Sequence, residues 1–521
     1  MKAPASAGTS ADAAAAAPHE EATRKQIRGS SLLLAGRFLT LGSNLVVQVL
    51  IVRYLTKADY GAFAYALSLV SLGASIATFG LDRSITRFVP IYDEQRNYGK
   101  LFGTVVLAVG TVLSLGVLTL IVVYGVQAVV GGSLIGDERA VDVLLILILL
   151  VPINSLDGLL MGMFAVFSKP RAIFFRKHVL TPAFRLTIVL LLVLGNRDVF
   201  FLAGGYVFAG ALGVAIYSVL LYRTLKQDGL LARFSVPTIQ IPAREIFGFT
   251  IPLLTSDLVY MAMNTSDVIL LGHFGGPDDV ADFRVIWPAA HLNQVVMASF
   301  TLLFTPVASR MFARNDREGI NNLYWSTAIW IAVLTFPVFA LTFSLAQPVT
   351  DILFGSRYSD SATYLTLLSL GYYFNAALGF NGLTLKVYGR LRYVVTINVI
   401  AALVNLGLNF ILIPRYGPLG AAIGTCSTLV LHNFLKQGGL LLGTGVRLFR
   451  GRDLAVYASI VVAAVFLLAL QLVVSPPALV GFAVAALVSL AVIAFSRKSL
   501  RAGEMFPELK RFRIARLIAG K

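Results

Sequence analysis

Apolar runs of about 20 residues, each long enough to cross a bilayer as a helix, recur along almost the whole chain. Roughly fourteen are present, separated by short polar loops. A lipid-embedded backbone must satisfy its own hydrogen bonds, and continuous runs of this length do so as helices. The pattern therefore predicts an all-α polytopic membrane protein of about 14 transmembrane helices, with almost nothing left outside to form a soluble active site.

The chain is 57% hydrophobic and 13% charged, roughly half the charged fraction of a soluble protein. Its net charge of +17 does not point to nucleic acid, because the basic residues sit in loops between apolar runs. Of the 43 Lys and Arg, about 33 fall on the side that holds the N-terminus and about 7 on the other, and Arg37, Arg185 and Lys436 lie inside runs. By the positive-inside rule both termini are expected in the cytoplasm, and the protein is expected to be multi-pass in a bacterial inner membrane. Missing one span would invert every later loop, so the asymmetry also checks the span count.

Residues 1–29, rich in Ala and Ser, read as a disordered cytoplasmic tail. Residues 497–521 form a basic, amphipathic cytoplasmic tail suited to anionic lipid. The single cysteine, Cys426, lies in an apolar run and cannot form an intrachain disulfide or a cysteine metal site. There is no GxxxxGK[ST] phosphate loop, no HExxH and no paired His/Cys spacing. No enzyme activity, cofactor or metal is expected. The outer loops, about 15 residues at their longest, are short for a membrane polymerase that must hold a glycan acceptor.

A faint internal echo runs through the chain. Tyr54-Leu-Thr-Lys-Ala-Asp-Tyr-Gly-Ala-Phe63 joins the first two runs, and His273-Phe-Gly-Gly-Pro-Asp-Asp-Val-Ala-Asp-Phe283 stands at the corresponding place between the seventh and eighth. Each is a polar turn with an acid, followed by an aromatic residue. Two halves repeated in the same orientation pair about an axis along the membrane normal.

Two stretches resemble the polysaccharide transporters, the Wzx-type flippases of the multidrug/oligosaccharidyl-lipid/polysaccharide exporter superfamily. The first is Arg53-Tyr-Leu…Asp59-Tyr60-Gly61…Phe79-Gly80-Leu81-Asp82…Arg87-Phe88. The more specific is Gly389-Arg390…Asn398…Asn405-Leu-Gly-Leu-Asn409…Leu412-Ile-Pro414-Arg-Tyr-Gly417-Pro-Leu-Gly420-Ala-Ala-Ile-Gly-Thr425. One departure is Val280-Ala281-Asp282-Phe283, where that family tends to have Gly-x-Tyr.

The resemblance implies two six-helix lobes around a central cavity, an N-lobe over 30–222 and a C-lobe over 246–445. A cytoplasmic linker, 223–245, joins the lobes, and two extra helices lie within 446–496. It implies a task as well: carrying a polyprenyl-pyrophosphate-linked oligosaccharide to the outer leaflet for O-antigen, capsule or exopolysaccharide synthesis. The implied partners are that glycan, membrane lipids and polysaccharide polymerase machinery, without nucleic acid. The alternatives are a lipid II flippase and a cation-coupled multidrug exporter. The exporters usually bury acids in the first lobe, whereas the first helix here carries Arg37 and no acid.

Ionisable side chains within the bilayer are expensive and each needs a reason. Arg37, Asn44 and Gln48 share one face of the first helix; His432 and Lys436 share one face of the twelfth; Arg185 lies in the fifth. Arg37, Arg185 and Lys436 all sit roughly 9–11 Å from the cytoplasmic ends, suited to an anionic headgroup, though snorkelling to the interface is the bland alternative. Asp257 and Asn264 complete the candidate cavity residues. Asp157, Asp257 and Asp267 are candidates for proton or sodium coupling, or structural partners of Arg185 or Arg37. Asn398, Asn405 and Asn409 read as interhelical polar contacts or as sugar ligands. Pro252 and Pro288 are hinge candidates.

Overall fold

The computed structural model describes residues 36, 39–130, 138–167, 173–444 and 451–500, and for Asp257, Asn264 and Pro252 it describes the backbone alone. The candidate Arg37 and both tails lie outside the described residues. Within them every regular element is helical and there is no strand. Nine of these helices are long and apolar enough to cross a membrane, and a shorter apolar one spans Leu39–Tyr54. The protein is an all-α polytopic membrane protein.

The first helices are α1 (Leu39–Tyr54), α2 (Lys57–Thr78), α3 (Leu81–Glu94), α4 (Tyr98–Val130), α5 (Glu138–Leu147) and α6 (Leu150–Val166). A π-helical stretch, Phe175–Leu180, leads into α7 (Thr181–Leu194), and α8 (Val199–Gln227) follows. Next come α9 (Ala243–Phe274), α10 (Pro277–Val285), α11 (Trp287–His291), α12 (Val295–Ala313), α13 (Arg317–Phe339) and α14 (Ala346–Phe354). After α15 (Ser361–Ala377) and α16 (Asn381–Val387), residues Leu391–Thr444 form two helices, α17 (391–416) and α18 (418–444), that meet at Gly417. The last are α19 (Gly451–Val473) and α20 (Ala478–Leu500).

Several apolar runs are not single helices. The run at 285–308 is divided into α11, a 3-10 turn at Leu292–Gln294 and α12. The run at 361–385 breaks between α15 and α16. Backbone groups freed by such breaks must find partners inside the protein, since lipid offers none. Pro288 occupies the first turn of α11, just after the chain bends at Ile286. Residue 252 lies within the unbroken α9.

The chain divides into two compact units. One comprises 1–47, 73–122 and 149–254; the other comprises 48–72, 123–148 and 255–521. Segments 48–72 and 123–148, which fall in the first half of the sequence, thus belong with the second unit. The core of the first unit joins α3, α4, α6 and α8 through Leu81, Ile85, Val112, Leu159, Phe164 and Tyr217, with Phe164 stacked on Tyr217 at 4.3 Å. In the second, α13, α15, α19 and α20 enclose Phe336, Phe339, Tyr373, Ile460 and Val492, and Phe339 stacks on Tyr373 at 4.0 Å. Outward faces stay apolar: Leu442 is 89% exposed and Leu472 74%, the inverse of a water-soluble helix and suited to lipid contact.

Candidate functional site

The segment most specific in sequence folds into an antiparallel hairpin. Gly417, at φ 53° and ψ −131°, reverses the chain between α17 and α18, in a region of backbone space that side chains with a Cβ rarely enter. Contacts then climb the two helices rung by rung. Gly420 lies against the Leu412 carbonyl and Gly424 against Asn409. Asn405 Nδ2 reaches Thr428 Oγ1 at 3.5 Å, His432 Nε2 lies 2.8 Å from Asn398 Oδ1, and Tyr393 Oη donates to the Leu435 carbonyl at 2.6 Å. The asparagines of the motif are therefore interhelical contacts, and His432 is engaged among them.

The hairpin also holds a carboxylate from a third helix. Asp267 on α9 is 2% exposed. One of its oxygens accepts from Asn409 Nδ2 on α17, and the other accepts from Thr425 Oγ1 on α18 at 2.8 Å. Beside it, Ser266 Oγ donates to Asn405 Oδ1 at 3.2 Å, and Asn409 Nδ2 also reaches Asn405 Oδ1 at 3.3 Å. Asn409 Oδ1 is buried without a partner among the described residues. The guanidinium of Arg284 on α10 acts on the Asp267 charge and stacks on Trp287 at 3.9 Å. Three helices thus converge on one buried acid through oxygen-bearing side chains, an arrangement that can release or accept a small hard cation or a proton.

The two echoed turns meet inside the second unit. Lys57 Nζ pairs with Asp282 Oδ2 at 2.7 Å, and Gly61 packs against the Pro277 carbonyl so closely that a Cβ there would overlap it. Arg53 donates to the Ile352 and Leu353 carbonyls at the end of α14, and Arg357 donates back to the Val52 carbonyl. Asp282, which stands in the second turn between Ala281 and Phe283, is the anchor of this contact. Burial raises its carboxyl above the usual carboxylate range, and hydrogen bonding to Lys57 opposes that.

In the first unit, Asp157 on α6 accepts from Arg176 Nη2 at 2.9 Å. Among the described residues its partner is Arg176 and not Arg185, one of the two the sequence suggested; Arg37, the other, lies outside them. Arg176 read as a loop residue there, but the π-helical stretch carries it inside, where it is 7% exposed and sits against Gly213. The apolar Ala-Ile-Phe-Phe preceding it was the available signal. Nearby, Thr40 Oγ1 and His178 Nδ1 are 2.6 Å apart.

The remaining candidates are dispersed. Asn44 is exposed. Gln48 donates to the Tyr60 hydroxyl. Arg185 is half-buried, 5.4 Å from the Tyr206 ring centroid. Lys436 is half-buried beside Gly382. The side chains of Asp257 and Asn264, and all of Arg37, lie outside the described residues. Lys386, Arg284 and Arg176 were absent from the sequence-based set because each was counted with the loops.

Comparison with known proteins adds the following. The family described as "Polysaccharide biosynthesis protein" matches residues 27–312, and the MatE family matches residues 252–411. An uncharacterized membrane protein of Methanocaldococcus jannaschii is 24% identical over 80% of this chain and 87% of its own. A probable low-salt glycan biosynthesis flippase of Haloferax volcanii is 21% identical over 37% of this chain and 41% of its own. Among solved structures, a lipid II flippase in an inward closed conformation superposes with a TM-score of 0.68 at 15% identity, covering 93% of this chain and 100% of that one. At that identity the likeness establishes the fold alone.

Proposed function

Because the chain belongs to the polysaccharide biosynthesis protein family, we propose that it is a flippase. It moves a polyprenyl-pyrophosphate-linked oligosaccharide from the cytoplasmic to the outer leaflet of a bacterial inner membrane, for surface polysaccharide assembly. The lipid tail stays in the bilayer while the polar head crosses between two lobes that alternate in access, so no bond chemistry is needed. Arg37, Arg185 and Lys436 offer cations to the pyrophosphate near the cytoplasmic end. Both termini are cytoplasmic, in keeping with the Lys/Arg asymmetry of the loops.

The observation that carries this reading is Asp267, a buried intramembrane acid enclosed by side chains of α17 and α18. A fold that only spanned the membrane has no need of it, whereas a transporter uses such a group to couple movement to an ion. Asp267 and Thr425 supply oxygen ligands for Na⁺, or Asp267 takes a proton. Either change alters how tightly α9 is held to the hairpin, and that differential is the coupling free energy.

The test is flipping in liposomes carrying a fluorescent polyprenyl-pyrophosphate oligosaccharide, with lipid II assayed in parallel. Wild type flips the oligosaccharide, an imposed Na⁺ or proton gradient accelerates it, and Asp267→Asn retains stable protein but loses the gradient response. Flipping of lipid II in its place moves the protein to the alternative substrate, and no flipping of either ends the reading.

A further inference from the structure

Between α8 and α9 the chain forms a strap rather than a free loop. Residues 228–242 pass through two 3-10 turns, Leu231–Arg233 and Val236–Thr238, and leave the second extended at Ile239. They lie across the first turns of α4. The Gln240 amide donates to the Gly99 carbonyl at 3.1 Å. The Thr238 carbonyl lies against Gly99 and the Gln240 carbonyl against Gly103, so closely that a Cβ at either glycine would overlap it. Arg233 donates to the Tyr98 hydroxyl, and Phe234 meets Phe102 edge-on at 4.9 Å. Strap and partners all belong to the first unit.

The side of α4 that carries the strap tells what surrounds it. Gly99, Gly103, Val106, Gly110, Leu113 and Val117 follow the helical repeat and share one face. Past the strap that face is bare and apolar: Val106, Leu113 and Val117 are exposed, and a Cβ at Gly110 would meet nothing within 4 Å. On a helix long and apolar enough to span a membrane, such a stripe borders lipid. The strap closes the end of that stripe, and its outward side chains continue it. Val236 is 69% exposed and Ile241 56%, with Phe234 exposed beside them. Around them stand Arg223, Lys226, Arg233 and Arg244, all exposed, and none of the four pairs with a carboxylate among the described residues. The nearby carboxylate of Glu245 is taken by Lys100 at 2.7 Å. Large apolar side chains set among uncompensated cations, at the end of a lipid-facing stripe, match the boundary between acyl chains and anionic headgroups.

We propose that the strap is an interfacial anchor: Phe234, Val236 and Ile241 enter the lipid at the end of α4, and Arg223, Lys226, Arg233 and Arg244 hold anionic phospholipid headgroups around them. By the charge asymmetry of the loops, the leaflet is the inner one. Because the two glycines of α4 clamp the strap in place, a grip on lipid there is a grip on the first unit. The inference is independent of what the protein carries.

The test places a fluorescent bimane on Val236→Cys in a Cys426→Ser background of the full-length protein. The labelled protein is reconstituted in nanodiscs of phosphatidylcholine, or of equal parts phosphatidylcholine and phosphatidylglycerol. Two quenchers are compared: a lipid carrying a nitroxide high on its acyl chain, and aqueous iodide. The same label on Arg314→Cys, in an exposed loop, sets the scale for full access to water. With phosphatidylglycerol present, the lipid nitroxide quenches the label at position 236 and iodide quenches it far less than at 314. Replacing Lys226 and Arg233 together by Gln lowers the lipid quenching by about two-fold or more. Should the label at 236 disturb the strap, Ile241→Cys repeats the measurement from its other end. Iodide access at 236 and 241 equal to that at 314, without lipid quenching, overturns the anchor and leaves the face to a soluble partner. Lipid quenching that is the same in both nanodiscs and in the Gln variant overturns the role of anionic headgroups.

Discussion

At the scale of single residues, what the fold supplies to each charge decides the consequence of removing it. Arg176 is almost wholly enclosed and its Nε has no partner among the described residues, so Asp157 is the group that neutralises it. Asp157→Asn leaves a buried uncompensated guanidinium, a loss of roughly 3 kcal/mol, read as a lowered melting temperature in detergent. Replacing both members, Asp157→Leu with Arg176→Met, recovers most of it, because a well-packed apolar pair removes the desolvation penalty along with the attraction. Recovery by the double variant separates a structural pair from a functional one: if flipping returns with stability, the pair is structural. Outside the membrane, Glu245 accepts from Lys100 Nζ and Tyr92 Oη, both at 2.7 Å. These bonds, that from Lys100 foremost, hold its carboxyl below the usual range. A lowered carboxylate pKa contributes stability that is present above the ordinary value and lost as pH falls through the lowered one. Hydrogen exchange of amides 236–246 is expected to quicken on acidification through that window, and Glu245→Gln to remove the pH dependence. The effect is small, because the carboxylate is exposed.

Among the elements, the α17–α18 hairpin places the chemistry, and Gly417 sets the hairpin. At φ 53° and ψ −131°, a Cβ is strained by about 1–3 kcal/mol. Gly417→Ala therefore lowers the melting temperature and disturbs the pairing of Asn409 and Thr425 with Asp267, so it depresses coupled transport more than an equally destabilising change in α20. Equal depression by both would reduce the hairpin to general stability. This hairpin was legible in sequence: the prolines and glycine of Pro414-Arg-Tyr-Gly-Pro418 mark a reversal, and three asparagines inside an apolar run demand partners. What the pattern left open was which helix would share them, because Asp267 lies far away in the chain. The break after α15 was hidden because Leu378-Gly-Phe380 continues the apolar run on either side. Arg176 was misplaced for a related reason: hydropathy ends a span at the first cluster of charges, whereas the π-helical stretch extends it.

For the whole molecule, the spans were readable because lipid imposes one length and one polarity on every crossing. Their sidedness is a separate inference from loop charge. It is checked by a residue-by-residue experiment that the single buried cysteine makes practical. In a Cys426→Ser background, new cysteines are placed at exposed positions on predicted outer turns, Asp278 and Ser356, and on predicted inner loops, Gln227 and Arg314. The loop asymmetry requires the first pair to react with a membrane-impermeant maleimide in intact cells and the second only after permeabilisation. The four sites straddle several spans, so an error in the count between any two of them swaps their sides and reveals where it lies. Inverted labelling of all four would place Lys436 at the outer end, away from a cytoplasmic substrate, and the direction of transport would have to be reversed with it. Agreement at all four puts Lys436 at the end from which a cytoplasmic lipid-linked diphosphate enters, leaving Asp267, nearer the far end of α9, to report to it through movement of the helices between them.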